Sequence, residues 1–288
     1  MRWWTYQKER FPIITNGILV AAFSSCALLY SSLLSEGPLP ETRMFLVAFL
    51  TCLIFFLQLR IADEFKDFEE DSRYRPYRPV PRGLITLREL GWIFVLGAGI
   101  QLALSIWLSL PLTIILVLTW LYLSLMSVEF FCRDWLKARP ITYLWTHMLI
   151  MPLVDFFATA AYWGPATGSP PSGLGWFLAA SFTNGLVIEI GRKIRFPQDE
   201  EDGVPTYSKL WGVSKATLVW FACLVATTVF AALASHLVGT HLVTVSILIL
   251  LMVLFSFLQQ PGKRLETFSG VWTLALYLTL GILPLFVS

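Results

Sequence analysis

Charge is scarce in this sequence: Asp, Glu, Lys and Arg make up 14% of its 288 residues, against roughly 25% in an ordinary soluble domain. Hydrophobic residues make up 56%, and the mean hydropathy is +0.68. A soluble fold of this size could not hide so much apolar surface from water, whereas a lipid bilayer accepts it. The composition therefore excludes the ordinary soluble classes and indicates a membrane protein.

Three common patterns are also missing. The four cysteines (Cys26, Cys52, Cys132 and Cys223) stand singly in or beside apolar runs, a spacing that suits neither a disulfide framework nor a zinc site. The first apolar run is too long for the core of a signal peptide and lacks a small-residue cleavage site. No glycine-rich phosphate loop precedes a helix in the required context. A dinucleotide-binding or nucleic-acid function therefore has no support, and no nucleic-acid partner is expected.

Long apolar runs are what the sequence has in abundance. A transmembrane helix needs about 20 predominantly apolar residues. Nine runs of roughly that length occur, separated by turn-forming segments such as "SEGPLPE" and "WGPATGSPPSG". We therefore predict an all-α, polytopic membrane protein with nine transmembrane helices. The predicted spans are residues 13–34, 42–60, 88–109, 111–131, 142–163, 174–194, 214–236, 241–259 and 267–287.

With nine spans, alternate loops fall on opposite sides of the membrane. All Lys and Arg residues except Arg43 then lie on the side of the N-terminus. Because cytoplasmic loops carry the excess of Lys and Arg, we predict a cytoplasmic N-terminus and a C-terminus on the opposite side, in the cell (inner) membrane. Two cytoplasmic loops, 61–87 and 195–213, are long and charged, and loops of that length are often functional.

The first of these loops begins with a concentrated acidic segment, "RIADEFKDFEED". Asp63, Asp67 and Asp71 are spaced i, i+4, i+8, so on a helix their carboxylates share one face. Glu64 adds a fourth acid. Carboxylates placed in this way repel each other, and oxygen clusters with open positions suit Mg²⁺ held together with substrate phosphates. The segment therefore predicts a magnesium site; the alternative is an exposed acidic helix end neutralised by nearby basic side chains.

An arginine-rich segment, "SRYRPYRPVPRG", follows directly. Its repeated X-Pro pairs disfavour helix and predict a constrained, extended loop. Guanidinium groups match phosphate oxygens bidentately. Arg75 and Arg78, beside a carboxylate–metal cluster, therefore describe a diphosphate-binding site at the cytoplasmic end of a helical bundle.

Together the two segments resemble the first signature of the UbiA superfamily of intramembrane prenyltransferases, N-D-x-x-D-x-x-x-D followed by R-P-x-x-x-G. With "RPVPRG" in register, Asp67 and Asp71 match the second and third aspartates. Asp63 stands in place of the asparagine and Glu64 in place of the first aspartate, and both keep oxygen ligands. The nine spans, the cytoplasmic N-terminus and "ERFP" before the first span also agree with that family.

The resemblance implies one domain over residues 1–288, with a ring of helices around a central cavity. It implies Mg²⁺-dependent ionisation of a polyprenyl diphosphate, with metal ligation by all four acids and catalytic roles for the three aspartates. It also implies two acidic motifs that face each other near the cytoplasmic side. Finally, it implies basic residues near the diphosphate in the loop between the fourth and fifth spans, where this chain has Lys137.

The second motif departs from the family pattern. In "EIGRKIRFPQDEEDGVPTYSKLWG" one expected aspartate, Asp199, is kept as a candidate metal ligand, but Arg192 and Arg195 stand where two others are expected. We hypothesise that these arginines, with Lys193, contact the diphosphate directly and replace a second metal ion. The alternative is internal pairing, because on a helix Glu189 reaches Arg192 at i+3 and Lys193 at i+4.

Four ionisable residues lie within or at the ends of apolar spans: Glu129, His147, Asp155 and Glu189. Such groups are costly in a bilayer and generally face a cavity or a partner. We predict a catalytic role for Asp155, as a base or acceptor-positioning group on a cavity wall. The alternative is a neutral carboxyl group hydrogen-bonded to a Thr or Tyr side chain.

The leading functional interpretation is a prenyltransferase. Mg²⁺ and arginines would draw off the diphosphate while an acceptor attacks the allylic carbon, and stabilisation of the leaving group would be the main catalytic effect. The expected partners are a prenyl diphosphate, a hydrophobic aromatic or lipid acceptor, and membrane lipid. The alternatives are a membrane terpene cyclase of the same fold and a non-enzymatic lipid carrier or assembly factor. Repelling carboxylates without a ligand are destabilising, which disfavours the carrier.

Overall fold

The computed structural model describes residues 1–201, 203–256 and 263–287, and the regular secondary structure in these ranges is entirely helical. The predicted all-α class is therefore confirmed for them. In chain order the described α-helices are α1 (Arg2–Arg10), α2 (Ile13–Leu34), α3 (Thr42–Lys66), α4 (Phe68–Tyr74), α5 (Leu87–Leu108), α6 (Leu110–Ser127), α7 (Arg133–Lys137), α8 (Pro140–Met148), α9 (Ile150–Ala166), α10 (Leu174–Arg192), α11 (Tyr207–Trp211), α12 (Val213–His236), α13 (His241–Ser256), α14 (Lys263–Gly281) and α15 (Pro284–Val287).

Seven of the described helical segments are long and apolar enough to cross a membrane: α2, α3, α5, α6, the pair α8–α9, α10 and α12. The protein is therefore an integral, multi-pass membrane protein. The eighth predicted span corresponds to α13, an apolar helix of 16 residues, and the ninth to α14. Residues 257–259 of the eighth predicted span, and Ser288, lie outside the described ranges. The count of nine crossings stays a prediction.

Several predicted spans differ in detail from the described helices. The predicted span 142–163 is divided at Leu149 into two helices, α8 and α9. The predicted span 111–131 is too long, since α6 stops at Ser127 and the chain soon enters left-handed backbone conformations. Helix α3 runs beyond its predicted end into the charged segment.

Local chemistry explains where several helices begin. Helix α5 starts with a capping box: the Glu89 backbone N–H donates to the Thr86 hydroxyl (3.2 Å), and the Thr86 backbone N–H donates to the Glu89 carboxylate (2.9 Å). Helix α6 starts directly after Ser109, whose hydroxyl caps it by accepting a hydrogen bond from the Leu112 backbone N–H, and Pro111 lies in its first turn. Gly173, with φ of +84°, precedes α10 in a left-handed conformation that glycine adopts without strain.

The interior of the bundle forms around α9, which packs against α2, α3, α6 and α10. Helix α10 in turn packs along α12, and α14 packs along α2. Buried aromatic rings such as Phe55, Phe157 and Phe177 lie inside, whereas apolar side chains such as Leu96 and Leu218 are exposed on outer surfaces. In a bilayer these outer side chains meet lipid tails, which are equally apolar.

One end of the bundle gathers the charged connections. There α3 runs into α4, α7 leads into α8, and α10 leads towards α11. The Lys66 ammonium group, at the end of α3, donates a hydrogen bond to the Tyr143 hydroxyl at the start of α8 (2.9 Å). These chain segments therefore meet, and the candidate site lies among them.

Candidate active site

The acidic segment spans the junction between α3 and α4. Asp63 lies in the last turn of α3, Asp67 at the junction and Asp71 in α4. The segment is not one uninterrupted helix, because the backbone at Asp67 departs from helical values (φ −96°, ψ 4°). Hydrogen bonds from Asp67 N to Asp63 O (2.9 Å) and from Asp71 N to Asp67 O (2.8 Å) nevertheless continue across the junction. The three aspartates therefore stay on successive turns.

Two of the four acids are buried and paired with arginine. Glu64 is 2% exposed and accepts a hydrogen bond from Arg10 of α1. Asp71 is also 2% exposed. Arg78 donates to its Oδ2 (2.6 Å), and Arg75 Nε lies 3.1 Å from its Oδ1. These two carboxylates hold α1 and the arginine-rich loop in place.

Asp63 and Asp67 are less tightly held. The Asp63 side chain is 38% exposed, and its nearest cations, Arg60 and Lys66, lie 3.5 and 3.8 Å away. Asp67 has no ion pair within the described part of the chain. Burial raises the pKa of the Asp67 carboxyl group, and the nearby carboxylates raise it further, against an opposing effect of Lys66. These two aspartates form the open, anionic part of the site.

The predicted metal ligands do not gather into one closed metal site. Within the described ranges, no three Asp, Glu, His or Cys side chains lie close enough together to hold a metal ion by themselves. The five predicted ligands do not form one cluster, since Glu64 and Asp71 are paired with arginines and Asp199 is exposed in the second loop. Mg²⁺ is commonly held by one or two carboxylates together with substrate phosphates. Asp63 and Asp67 fit a site of that kind.

Lys137, predicted to bind diphosphate, is paired across the rim of the site. Its ammonium nitrogen lies 2.6 Å from a carboxylate oxygen of Glu70 in α4, and its side chain is 44% exposed. The hydrogen bond from Lys137 lowers the pKa of the Glu70 carboxyl group. The pair joins α7 to α4 and keeps a cation beside the acidic segment.

At the end of α10, Glu189 binds the two neighbouring cations. Arg192 donates to Glu189 Oε2 (2.6 Å), and Lys193 Nζ lies 2.8 Å from Oε1. The internal pairing considered as an alternative is therefore present. Arg192 also lies within electrostatic range of Asp63. The second segment thus presents a guanidinium group to the first, where the resemblance implied a second set of carboxylates.

Arg195 and Asp199 lie on the loop that follows α10. Arg195 Nη1 lies 3.0 Å from Glu201, and its backbone N–H donates to the Ser208 hydroxyl (2.9 Å). Asp199 ends a short 3-10 turn and is exposed. Of the predicted residues in the second segment, Arg192 and Lys193 line the site, and Arg195 and Asp199 lie outside it.

The loop after α4 and the loop after α10 touch each other. The Tyr77 hydroxyl donates to the Glu201 carboxylate (3.5 Å). Gly203, with φ of +71°, lies against the ring of Tyr74, which a Cβ at that position would meet at 2.5 Å. The arginine-rich loop and the second loop therefore form one continuous wall.

Asp155 lies deeper in the bundle, in α9. It is fully buried, and the Tyr277 hydroxyl donates to its Oδ2 (2.6 Å). Its Oδ1 has no hydrogen-bond partner within the described part of the chain. Eight residues, or about 12 Å of helix at a rise of 1.5 Å per residue, separate Asp155 from His147. His147 stacks on Tyr143, which is hydrogen-bonded to Lys66 of the acidic segment. The structure therefore keeps Asp155 apart from the acidic segment and matches the tyrosine-bonded alternative.

Sequence reasoning missed a polar cluster centred on Tyr143. The Tyr143 hydroxyl accepts from Lys66 and donates to Glu129 Oε1 (3.2 Å), and the His147 ring stacks on the Tyr143 ring with 3.9 Å between centres. Glu129 and His147 carried a signal, because ionisable residues are uncommon in apolar spans. Lys66 is one charge among many in its segment, and Tyr143 is one of many aromatic residues, so neither was distinguishable in the sequence.

The fold and the site define a multi-pass helical membrane protein with a carboxylate- and arginine-lined site at one end. The chain belongs to the UbiA prenyltransferase family, which matches residues 22–269. A curated relative, digeranylgeranylglyceryl phosphate synthase from Korarchaeum cryptofilum (strain OPF8), is 27% identical over 212 residues, which are 71% of each chain. The predicted family and the predicted enzyme class, a prenyltransferase, are confirmed.

Solved structures share this fold. A UbiA homologue from Aeropyrum pernix K1 matches with a TM-score of 0.69 at 16% identity, over 93% of this chain and 97% of that homologue. A UbiA homologue from Archaeoglobus fulgidus, bound to GPP and Mg²⁺, matches with a TM-score of 0.58 at 12% identity, over 93% and 99% of the two chains. At these identities the likeness establishes the fold alone.

Proposed function

We propose that this protein uses Mg²⁺ to transfer a prenyl group from a prenyl diphosphate to the hydroxyl group of a lipid acceptor. The observation that carries the proposal is a pair of carboxylates open to a ligand. Asp67 has no ion pair within the described part of the chain, and Asp63, whose nearest cations lie 3.5 and 3.8 Å away, is within electrostatic range of Arg192. Such carboxylates attract a divalent cation, and a guanidinium group matches phosphate oxygens. The name of the Korarchaeum relative supports a glyceryl phosphate lipid over an aromatic acceptor.

The acids divide into two roles in this proposal. Asp63 and Asp67 hold the metal ion, and bound Mg²⁺ supplies positive charge to the departing diphosphate. Glu64 and Asp71 position the arginines with which they pair. Asp199, exposed on the second loop, reaches the metal only if that loop moves inward. The proposed donors to the diphosphate oxygens are Arg75, Arg78, Lys137, Arg192 and Lys193. Arg195, which pairs with Glu201 on the outer loop, joins them only if that loop moves inward.

A second candidate function is a membrane terpene cyclase, and Asp155 is the observation that favours it. Its Oδ1 is buried without a hydrogen-bond partner among the described residues. The ring of its neighbour Tyr277 lies 5.0 Å from that of Phe23 and 6.0 Å from that of Phe177. A carboxylate beside aromatic faces stabilises positive charge, which a cyclase needs deep in its cavity.

We also propose a membrane topology for the whole chain. Residues 1–288 form one domain of nine transmembrane helices around a central cavity. The N-terminus is cytoplasmic, and the C-terminus lies on the opposite side of the cell (inner) membrane. The support is the coincidence of α13 and α14 with the last two predicted spans and the clustering of charged segments at one end.

Mass spectrometry of reaction products tests the function. Purified protein receives Mg²⁺ and prenyl diphosphates of increasing length, with and without a lipid extract as the acceptor source. We expect a prenylated lipid that requires both Mg²⁺ and the extract and is lost on adding a chelator. A cyclic hydrocarbon formed without the extract, and lost in Asp155→Asn, identifies a cyclase instead. Unconsumed diphosphates at every length contradict both functions.

A further inference from the structure

A crevice of about 340 Å³ opens between the end of α3, the start of α5 and the end of α6. That volume is typical of a site for a small ligand. Exposed apolar rings stand beside buried or partly buried charged groups, which fits the headgroup of an amphiphile at the membrane surface. Its lining includes Phe65, Lys66, Phe68, Ser127, Glu129 and Arg133.

Glu129 reaches the crevice from a strained turn. Glu129, Phe130 and Phe131 have φ values of 53°, 52° and 58°. Residues other than glycine rarely occupy this left-handed region, and a run of three persists only where the surrounding structure holds it. Strain of this kind concentrates at functional sites.

The turn directs the Glu129 carboxylate into the polar cluster, where its side chain is 4% exposed. Oε1 accepts a hydrogen bond from the Tyr143 hydroxyl (3.2 Å). Oε2 is buried and has no hydrogen-bond partner within the described part of the chain. A buried acceptor without a donor is destabilising, so a ligand that brings a hydroxyl group would complete the site.

Lys66 joins the crevice to the acidic segment. Its ammonium nitrogen lies 3.8 Å from Glu129 Oε1 and 3.8 Å from Asp63 Oδ1. The crevice and the proposed diphosphate site therefore share one wall. A molecule bound in the crevice would be separated from Asp63 only by the Lys66 side chain.

We propose that this crevice binds the headgroup of the acceptor, an amphiphile with a hydroxyl group and an anionic group, and that Glu129 is the catalytic base. The inference rests on the proposed function. The hydroxyl group donates to Glu129 Oε2. The anionic group binds Arg133, whose side chain is 45% exposed and whose one ion pair among the described residues is a 3.8 Å contact with Glu70.

In the transfer, the bond between the allylic carbon and the diphosphate oxygen breaks, and its electron pair leaves with the diphosphate. A lone pair of the acceptor oxygen forms the new carbon–oxygen bond. The hydroxyl proton passes to Glu129 Oε2 and then to water. Lys66 and Tyr143 stabilise the Glu129 carboxylate before the proton arrives.

Glu129→Gln tests the base. Full-length protein receives geranylgeranyl diphosphate, Mg²⁺ and geranylgeranylglyceryl phosphate, and three quantities are measured: ether formation, donor affinity and acceptor-independent diphosphate release. The Gln amide oxygen can still accept the hydrogen bond from the Tyr143 hydroxyl, but the amide cannot take up the proton. A general base typically contributes roughly 10²–10⁴-fold to the rate. We expect ether formation to fall at least about 100-fold, with donor affinity and acceptor-independent release unchanged. Glu36→Gln, an exposed glutamate that also has a positive φ of 49°, is the matched control and should change nothing.

Two further variants test the crevice itself. Ser127→Phe fills it and should raise the acceptor KM without changing donor affinity. Arg133→Ala should raise the KM of the phosphate acceptor but not that of uncharged geranylgeranylglycerol. An unchanged acceptor KM in both variants overturns the crevice as the acceptor site.

The remaining outcomes separate the inference from the function on which it rests. Ether formation by Glu129→Gln at the wild-type rate, or a parallel loss of donor binding, overturns the role of Glu129. Donor binding and hydrolysis by the wild-type protein, without transfer to the phosphate acceptor, overturns the headgroup class. Failure of the wild-type protein to bind any prenyl diphosphate overturns the proposed function itself.

Discussion

Asp67 and Asp71 lie one helical turn apart, yet their carboxylates have opposite surroundings. Asp71 is buried between the guanidinium groups of Arg75 and Arg78. Asp67 has no ion pair within the described part of the chain, and burial raises its pKa. A paired, buried carboxylate stabilises the fold, whereas an unpaired one is available to a ligand.

Substitution by asparagine should separate these roles. Asp67→Asn is expected to abolish turnover and to leave the free energy of unfolding unchanged or slightly higher, because it removes a charge that nearby carboxylates repel. Asp71→Asn is expected to lower the free energy of unfolding by on the order of 3 kcal/mol, because two guanidinium groups lose their counter-ion. Thermal unfolding in detergent and diphosphate release report the two effects. Equal stability losses in both variants would contradict the distinction.

The pKa of Asp67 also predicts a pH dependence. Its folded-state value lies above its ordinary value, so the folded protein binds the proton more tightly than the unfolded chain does. Without metal, this group's contribution to the free energy of unfolding should therefore decrease as pH rises from the ordinary value of an aspartate to the raised one.

Thermal unfolding across that pH range, with a chelator present, measures this contribution. Asp67→Asn should lack it. Adding Mg²⁺ should restore stability at the upper end of the range, where the carboxylate is ionised. A pH profile that is the same in wild type and Asp67→Asn would show that this group does not titrate as described.

At the scale of elements, the end of α10 concentrates cations around one carboxylate. Glu189→Gln leaves Arg192 and Lys193 without their shared counter-ion and is expected to lower the free energy of unfolding by about 1.5–3 kcal/mol. The matched control is Glu41→Gln, which breaks an exposed pair with Arg43 and should have no measurable effect. Thermal unfolding of both variants tests this. A similar loss of stability in Glu41→Gln would show that the burial of Glu189 does not explain the effect.

The same helix end predicts the behaviour of its arginines towards diphosphate. Charge-assisted hydrogen bonds contribute about 1.5–3 kcal/mol, so Arg192→Ala should weaken binding of inorganic diphosphate roughly tenfold to a hundredfold. Arg195→Ala should have a smaller effect, because Arg195 lies on the outer loop and pairs with Glu201. Calorimetric titration with Mg²⁺ and diphosphate provides the measurement. Unchanged affinity in both variants would defeat the direct-contact hypothesis.

The contact between the two loops can be tested at Gly203. A Cβ there would meet the Tyr74 ring at 2.5 Å, and the φ of +71° is unfavourable for alanine. Gly203→Ala should therefore separate the loops and weaken diphosphate binding. Gly99→Ala, in α5 with nothing within 4 Å of the added Cβ, is the control and should bind normally. Normal binding by Gly203→Ala would show that the loop contact is dispensable.

At the scale of the whole molecule, the number of membrane crossings decides on which side the chain ends. Seven described segments qualify by length and composition, and α13 and α14 lie where two more are predicted. An odd number of crossings puts the two termini on opposite sides. Because Lys and Arg are in excess on cytoplasmic loops, we predict that the charged end with α1 and the acidic segment is the cytoplasmic end.

Cysteine labelling tests that topology. In a background without the four native cysteines, a cysteine added after Ser288 should react with a membrane-impermeant reagent from outside. A cysteine in place of Arg73, in the exposed part of α4, should react only after the membrane is opened. Labelling of both from the same side would rule out nine crossings with a cytoplasmic N-terminus.

The sequence by itself determined the class of fold, the membrane environment and the segments that carry the chemistry. Run length and composition are local properties, so the seven helical segments that qualify as membrane spans could be placed from them, apart from their boundaries and the division of one span at Leu149. The count of nine stays a prediction. Motif spacing is local too. It predicted Asp63 and Asp67 for the candidate site and gave, as an alternative, the pairing of Glu189 with Arg192 and Lys193 that the structure contains.

Only the tertiary structure decided which of these groups are free to act. Glu64 is neutralised by Arg10, 54 positions away, and Lys66 meets Tyr143, 77 positions away. No local pattern encodes such pairs, because they depend on how helices pack. The left-handed turn at Glu129 likewise contains no glycine or asparagine from which it could be predicted. The surrounding helices hold its strained backbone, so the role proposed for Glu129 could not be inferred from the sequence alone.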